Sequence, residues 1–204
     1  MSETPTHRVK TPLIALTRLL RPKVVLELGP YNGRDSVAIS EHCEKLLCVE
    51  GRAENVAATR KSLAEHRGRV ARFCVSHEEI SVYLGNFARH LEQLDLIWAS
   101  GMLYHFADPV AVIQVLGKVC QRHRCPVIGW THLAERADAE LSEHLGRWYD
   151  EDPAGSLLSS IGNARSFWLT PASFEACFVA AGFSNFAFLN APEPSKNGGL
   201  AAYF

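Results

Sequence analysis

Five short apolar runs, about 25 residues apart along the chain, constrain its fold more than any other feature. In each run, apolar residues occupy adjacent positions as well as alternate ones. Runs that are apolar on both faces are typical of a parallel sheet that is covered by helices on both sides. The five runs are VVLEL (24–28), LLCVE (46–50), RVARFCV (69–75), LDLIWA (94–99) and PVIGWT (126–131).

The stretches between these runs carry helix signals. Asp108–Pro109 and Thr170–Pro171 each combine a preferred N-cap residue with a proline at the first helical position. Apolar residues at spacings close to four predict a longer amphipathic helix between residues 133 and 148. These apolar residues are Leu133, Ala137, Leu141, Leu145 and Trp148. Two more strand-like runs, NFAFLN and LAAYF, lie near the C-terminus.

The alternation of strands and helices predicts a doubly wound α/β fold with right-handed crossovers. A chain of 204 residues is expected to form one domain, which covers residues 1–204. Within this domain, residues 1–20 form an N-terminal helical segment and residues 132–168 form the longest irregular insertion.

Charge and hydropathy argue against several classes of function. The net charge of −1 gives no reason to expect a nucleic-acid or anionic-membrane partner. No apolar run reaches the roughly 18 residues of a membrane span, so we expect a cytoplasmic protein. The six cysteines include no C-x-x-C pair, and we therefore expect reduced thiols and no metal site.

The loop after the first run, LELGPYNGRD, has the position of a ligand-binding loop. In doubly wound sheets, ligands bind beyond the carboxyl ends of the strands. Gly29 and Gly33 lack a Cβ and allow the backbone to approach a ligand closely. The central glycine of a dinucleotide fingerprint is absent, and the Glu27 carboxylate would repel a pyrophosphate. The loop therefore favours a ligand with a positive ammonium or sulfonium group.

Glu50 ends the second run, 17 residues after Gly33. A carboxylate at this place can accept hydrogen bonds from both hydroxyls of a ribose. The alternative is that these residues are ordinary turn glycines and solvated acids.

With these pieces in place, the sequence resembles the class I S-adenosylmethionine-dependent methyltransferases over essentially its whole length. The matching pieces are VVLELGPYNG, LLCVEGR, LDLIWASGMLYHFADP and SFWLTPASFEACFVAAGF. The resemblance implies a Rossmann-like, seven-stranded sheet of order 3-2-1-4-5-7-6, with the last strand antiparallel. It implies S-adenosyl-L-methionine as the cofactor, bound by Glu27, Gly29, Pro30, Tyr31, Gly33, Glu50, Gly51, Ser76, His77, Ser100, Gly101 and Leu103. Many members carry an acid beside the adenine, and here Glu78 lies one position later.

The segment SGMLYHFADP resembles one found in many small-molecule methyltransferases and in enzymes that complete carboxymethoxy groups on wobble uridine. The resemblance implies that Tyr104 and His105 face the methyl group and the acceptor, as catalytic residues. His105 is either a general base or a structural residue. His132, Trp148 and Tyr149 are the predicted substrate-binding residues, and the insertion at 132–168 is the predicted acceptor-side lid.

The sequence thus predicts an enzyme, a methyltransferase that uses S-adenosyl-L-methionine. We expect metal-independent transfer to an oxygen or nitrogen of a small polar metabolite. The alternatives are a tRNA wobble-uridine-type modifying methyltransferase and a catalytically silent S-adenosylmethionine-binding protein. The acceptor and the oligomeric state, monomer or homodimer, stay open at this point.

Overall fold

The structure is a computed structural model, and it describes residues 6–66, 72–152, 154, 159–189 and 198–203. Its α-helices are α1 (Thr6–Leu20), α2 (Arg34–Ser40), α3 (Ala53–Glu65), α4 (Ile80–Asn86), α5 (Pro109–His123) and α6 (Pro171–Ala180). Its strands are β1 (Val24–Leu28), β2 (Lys45–Glu50), β3 (Arg72–His77), β4 (Leu96–Ser100), β5 (Val127–Thr131), β6 (Ala139–Leu141), β7 (His144–Asp150), β8 (Arg165–Leu169), β9 (Asn185–Phe188) and β10 (Gly198–Tyr203). The predicted strand positions 69–71, 190 and 204 lie outside the described residues.

The central sheet has the order β3-β2-β1-β4-β5-β10-β9. Its first five strands pair in parallel, and β10 pairs antiparallel with both β5 and β9. The predicted doubly wound α/β class is confirmed, and the strand order is the one that the resemblance implied.

Each face of this sheet is covered by helices. On one face, Val25 of β1 and Trp98 of β4 pack in a buried cluster with Leu13 of α1 and Ile39 of α2. On the other face, strand residues such as Ile97 are buried with residues of α4, α5 and α6, including Leu84, Ile113 and Phe178. The strands β1 and β4 are apolar on both faces because helices cover both faces and neither one meets solvent.

The predicted helix between residues 133 and 148 is wrong. This region instead forms β6 and β7, which join β8 in a three-stranded antiparallel sheet. The strand geometry puts Leu145 half-exposed to solvent, whereas the helical stripe required it to be buried. Gly146 allows β7 and β8 to pair closely, since a Cβ at this position would collide with the Trp168 backbone carbonyl on the neighbouring strand. Cross-strand pairing therefore overrides the four-residue spacing of apolar residues.

The N-terminal segment is helical over the described residues, as α1. Leu13 anchors it in the core, and the buried Thr17 hydroxyl donates to the Leu13 carbonyl at 2.9 Å. In the part of the chain that the structure describes, no helix has the length and apolarity needed to cross a bilayer.

Candidate functional site

A cavity of about 180 Å³ lies at the carboxyl ends of β1, β2 and β4. This edge is where doubly wound sheets bind their ligands. The cavity is bounded by the loops after these strands, by the start of α4 and by residues 159–163, which we call the wall segment. The lining residues are Gly29, Tyr31, Glu50, Gly51, Arg52, Asn55, Glu79, Ile80, Gly101, Met102, Tyr104, His105, Phe106, Ser159, Ser160, Ile161 and Asn163.

Glu50 is the buried carboxylate of this cavity, with 5% of its surface exposed. Its Oε2 accepts the backbone N–H of Tyr31 at 3.2 Å, and its Oε1 accepts that of Arg52 at 3.0 Å. These two bonds fix the orientation of the carboxylate. Because each oxygen has two lone pairs, each can accept one more hydrogen bond. Glu50 can therefore bind two hydroxyl groups of a ligand.

The loop after β1 approaches the cavity closely at Gly29. This residue has a φ of 68°, and a Cβ on it would lie 3.3 Å from the Met102 Cβ. Tyr31 also has a positive φ, of 56°, and this turn aims its N–H at Glu50. Pro30 lies between them and is buried, and it is not a lining residue.

Glu27 and Gly33, which the sequence assigned to cofactor binding, lie outside the cavity. Glu27 is 2% exposed and lies beneath the loop, where the Cys48 thiol donates to its Oε2 at 3.3 Å. Burial, together with the negative charge of Glu27, raises the pKa of the Cys48 thiol. A Cβ at Gly33 would lie 2.7 Å from the Thr59 Cα, so this glycine allows α2 to approach α3. Neither residue lines the cavity.

The cavity wall near β3 is formed three residues later than the resemblance implied. Ser76 and His77 do not line the cavity, and the His77 ring lies 3.1 Å from the Gly51 carbonyl oxygen. The lining residues here are Glu79 and Ile80. β2–β3 pairing continues through Glu78, whose N–H donates to the Glu50 carbonyl at 3.1 Å, and this delays the turn into the cavity.

After β4, five residues of one short stretch reach the cavity: Gly101, Met102, Tyr104, His105 and Phe106. Ser100 and Leu103, also assigned to the cofactor from sequence, are buried and are not lining residues. Leu103 belongs to the core beneath the short 3-10 turn Leu103–His105. This turn places the Tyr104 and His105 rings next to one another, with their centroids 4.2 Å apart.

His105 is paired with a carboxylate that the sequence did not identify. Its Nδ1 lies 3.0 Å from Glu151 Oε1, just past the end of β7. The other carboxylate oxygen accepts the Ser159 hydroxyl at 2.6 Å and the Ser160 N–H at 2.9 Å. Burial raises the pKa of the Glu151 carboxyl, but the hydrogen bonds from these serines, His105 and Ser166 outweigh burial and hold the pKa below its usual range.

The wall segment connects the two ends of the cavity. At one end, Arg52 Nη2 donates to the carbonyls of Ser159 and Ser160 at 3.2 and 2.8 Å. At the other end, Asn163 Nδ2 donates to the His105 carbonyl at 3.1 Å. Ile161 lies over Gly51, where a Cβ would be 2.5 Å from its Cδ1. Contacts from both ends thus hold the wall segment across the cavity.

The predicted substrate-binding residues His132, Trp148 and Tyr149 do not line this cavity. His132 and Tyr149 stack against Trp168, with ring centroids 4.7 and 3.8 Å away. Trp148 packs against Phe167 in the core.

His132 lies behind Tyr104, whose ring centroid is 4.3 Å away. Burial and the nearby His105 lower the pKa of His132 to about 4. The buried Nδ1 of this ring has no hydrogen-bond partner among the described residues.

The structure thus brings seven of the predicted site residues to one cavity. These are Gly29, Tyr31, Glu50, Gly51, Gly101, Tyr104 and His105. Sequence reasoning missed Arg52, Asn55, Glu79, Ile80, Met102, Phe106 and the wall segment. Arg52 and Met102 are neighbours of predicted residues and could have been included on that ground. The composition of the wall segment, SSIGN, carries no signal that distinguishes it from an ordinary loop.

Comparison with solved structures identifies the architecture. The N-terminal domain of EvdMO1 with S-adenosylhomocysteine bound is 20% identical, with a TM-score of 0.74, over 100% of this chain and 82% of that one. Magnesium protoporphyrin IX methyltransferase from Synechocystis, with bound S-adenosylmethionine, is 12% identical, with a TM-score of 0.62, over 97% and 79%. The S-adenosylmethionine-dependent methyltransferase SibL is 14% identical, with a TM-score of 0.63, over 97% and 55%.

The chain has the fold of the class I S-adenosylmethionine-dependent methyltransferases. The resemblance noted in the sequence is therefore confirmed by the architecture, although no family model and no curated protein sequence matches the chain. In this methyltransferase fold, the cavity described above lies at the ligand-binding edge of the sheet.

Proposed function

We propose that this protein is an S-adenosylmethionine-dependent methyltransferase that acts on an oxygen or nitrogen of a small polar metabolite. The observation that carries the proposal is the cavity itself. It has a buried, oriented carboxylate at one end, Glu50, and a carboxylate-paired histidine at the other end, His105.

The Glu50 end fits the nucleoside part of S-adenosylmethionine. The carboxylate has one lone pair left on each oxygen, which suits the two hydroxyls of a ribose. Gly29 and Gly101 both have a positive φ and bring the backbone to the cavity from β1 and β4. Beside Glu50, the apolar side chains of Ile80 and Ile161 provide walls for a flat base. When bound, the cofactor supplies a methyl group on a positively charged sulfur.

The His105 end fits the methyl acceptor. Methyl transfer is an in-line displacement, so holding the acceptor in position supplies much of the rate acceleration. The Tyr104 and Phe106 rings limit the space beside His105, and the Asn163 and Ser159 side chains add polar groups. The cavity of about 180 Å³, narrowed by the wall segment, favours a small acceptor.

The transfer proceeds without a metal ion in this proposal. Glu151, the carboxylate nearest to His105, already accepts hydrogen bonds from His105, Ser159 and Ser160. Both of its oxygens are therefore already engaged in positioning neighbouring groups, which makes Glu151 a poor ligand for a cation. Any proton that the acceptor must release can pass to a histidine instead.

The test combines calorimetry with a methyl-transfer assay. We expect S-adenosylhomocysteine to bind and NAD not to bind; tight NAD binding without S-adenosylhomocysteine binding would contradict the proposal. With labelled S-adenosylmethionine and a cell extract, we expect label in the small-molecule fraction. Label in added tRNA would show that the acceptor is an RNA and not a small metabolite. Cofactor binding without any labelled product would indicate a catalytically silent binding protein.

A further inference from the structure

The hydrogen bonds around Glu151 define the state of His105. The Glu151 side chain is 9% exposed and the His105 side chain is 23% exposed, so this pair is largely shielded from water. Ser159 Oγ accepts the Asp152 N–H at 2.7 Å, and its one proton is therefore directed to Glu151 Oε2. The Ser160 N–H is a second donor to the same oxygen. These two donors favour the ionised carboxylate, and together with the other hydrogen bonds to Glu151 they hold its pKa below the usual range.

An ionised carboxylate determines which nitrogen of His105 carries the proton. Glu151 Oε1 can only accept, so the ring nitrogen 3.0 Å from it, Nδ1, must be the N–H donor. In the neutral imidazole, the lone pair then belongs to Nε2. His105 lines the cavity, and it is therefore held as a proton acceptor at the acceptor end.

A proton acceptor at this place has a consequence for the substrate. A carboxylate oxygen has no proton to lose. A protonated amine can lose its proton to water before it binds, and the neutral amine then has a free lone pair. A hydroxyl group needs a base, because its proton must leave as the oxygen attacks. Building on the proposed function, we infer that the methyl acceptor is a hydroxyl group and that Glu151 is the residue that positions His105 to deprotonate it.

The step balances in atoms and charge. The acceptor O–H proton passes to His105 Nε2, and the O–H electron pair becomes available to form the new O–C bond to the methyl group. The electron pair of the C–S bond stays on sulfur, which becomes neutral. The positive charge now lies on the His105 imidazolium, directly against the Glu151 carboxylate, which stabilises it.

The groups packed around His105 support this charge change. His132 lies on the far side of Tyr104, and its pKa of about 4 leaves it uncharged at neutral pH. Burial, and then the Glu151 charge, raise the pKa of Tyr104, which therefore stays a neutral phenol. The other charged residues that line the cavity are Glu50, Arg52 and Glu79. Glu151 is thus the carboxylate in direct contact with the imidazole.

The first experiment is independent of activity. In the free wild-type protein with ¹⁵N-labelled histidine, NMR should show His105 protonated at Nδ1, with a free lone pair on Nε2. Glu151→Ala should lose this single tautomer. The exposed neighbour Asp150, changed to Asn, is the matched control and should keep it. An Nε2-protonated ring in the wild-type protein would overturn the inference, and this result does not depend on whether either variant folds.

The second experiment measures transfer and product chemistry. For Glu151→Gln we expect kcat to fall by about 100-fold, while the KM for S-adenosylmethionine stays within about twofold of wild type. The labelled product should resist mild alkali and should not bind a cation-exchange resin, as expected for a methyl ether. An alkali-labile ester or a cationic amine product would overturn the inference and leave the proposed function standing. No labelled product and no S-adenosylhomocysteine binding would contradict the proposed function itself.

Discussion

The Glu50 end of the cavity and the His105 end are built by different parts of the fold. Glu50, Gly29 and Gly101 lie at the ends of β2, β1 and β4, and their place follows from the topology of the parallel sheet. His105 depends on Glu151 and Asn163, which are 46 and 58 residues away in sequence. Under the proposed function, the parallel sheet positions the end assigned to the cofactor, whereas the inserted antiparallel sheet and its loops support the end assigned to the acceptor.

The largest effect should come from breaking the acceptor end alone. For His105→Ala we expect kcat to fall by about 10²- to 10⁴-fold, because the acceptor proton loses its base. Affinity for S-adenosylhomocysteine should be unchanged, as measured by calorimetry. His90→Ala, an exposed histidine, is the control and should retain activity. Full activity of His105→Ala would make His105 a structural residue.

A change at the Glu50 end should instead weaken cofactor binding. For Glu50→Ala we expect S-adenosylhomocysteine binding to weaken by roughly 1–3 kcal/mol, through loss of two buried hydrogen bonds to the ligand. The measurement is a calorimetric Kd, with the exposed Glu44→Ala as its control. An unchanged Kd would remove Glu50 from the binding site.

The loop between these ends should respond to backbone strain. Gly29→Ala forces a Cβ into a left-handed conformation and within 3.3 Å of Met102 Cβ. We expect a loss of about 1–2 kcal/mol in the free energy of unfolding, measured by urea denaturation. Gly85 in α4 has open space around its missing Cβ, so Gly85→Ala should be neutral or stabilising. Equal effects of the two changes would contradict this account of Gly29.

The smallest effect concerns pH and the ring behind the acceptor end. The pKa of His132 is depressed to about 4 in the folded protein, against about 6.5 when unfolded. The unfolded chain therefore binds the extra proton first, and stability should fall as pH drops from about 6.5 towards 4. His132→Phe should flatten this part of the stability profile in urea titrations at several pH values. A parallel profile in the variant would show that other groups cause the acid sensitivity.

The contrast between the two ends also explains what could be predicted from sequence. The apolar runs and the cap–proline pairs identify the strands and the helices α5 and α6, because burial on both faces and helix capping leave local signals. The strand-end position of Glu50 then follows from fold class. The partner of His105 leaves no such signal, because the Glu151 contact forms only when β7 and β8 pair.

Cross-strand pairing also caused the main error in the predicted fold. Apolar residues near β7 have a spacing typical of a helix, yet Trp148 pairs with Phe167 and Gly146 with Leu169 across two antiparallel strands. His132 and Tyr149 were assigned to the substrate as aromatic residues near a strand end or within the insertion. In the structure they are held by stacking on Trp168. Neither interaction can be read from local sequence.

The most direct test of the account is a crystal structure with S-adenosylhomocysteine bound. We predict that both ribose hydroxyls lie within about 3 Å of the Glu50 carboxylate oxygens, as hydrogen bonds require. The sulfur should face His105 across the space left for the acceptor. A ligand bound elsewhere, or one whose ribose does not contact Glu50 and whose sulfur faces away from His105, would contradict the account.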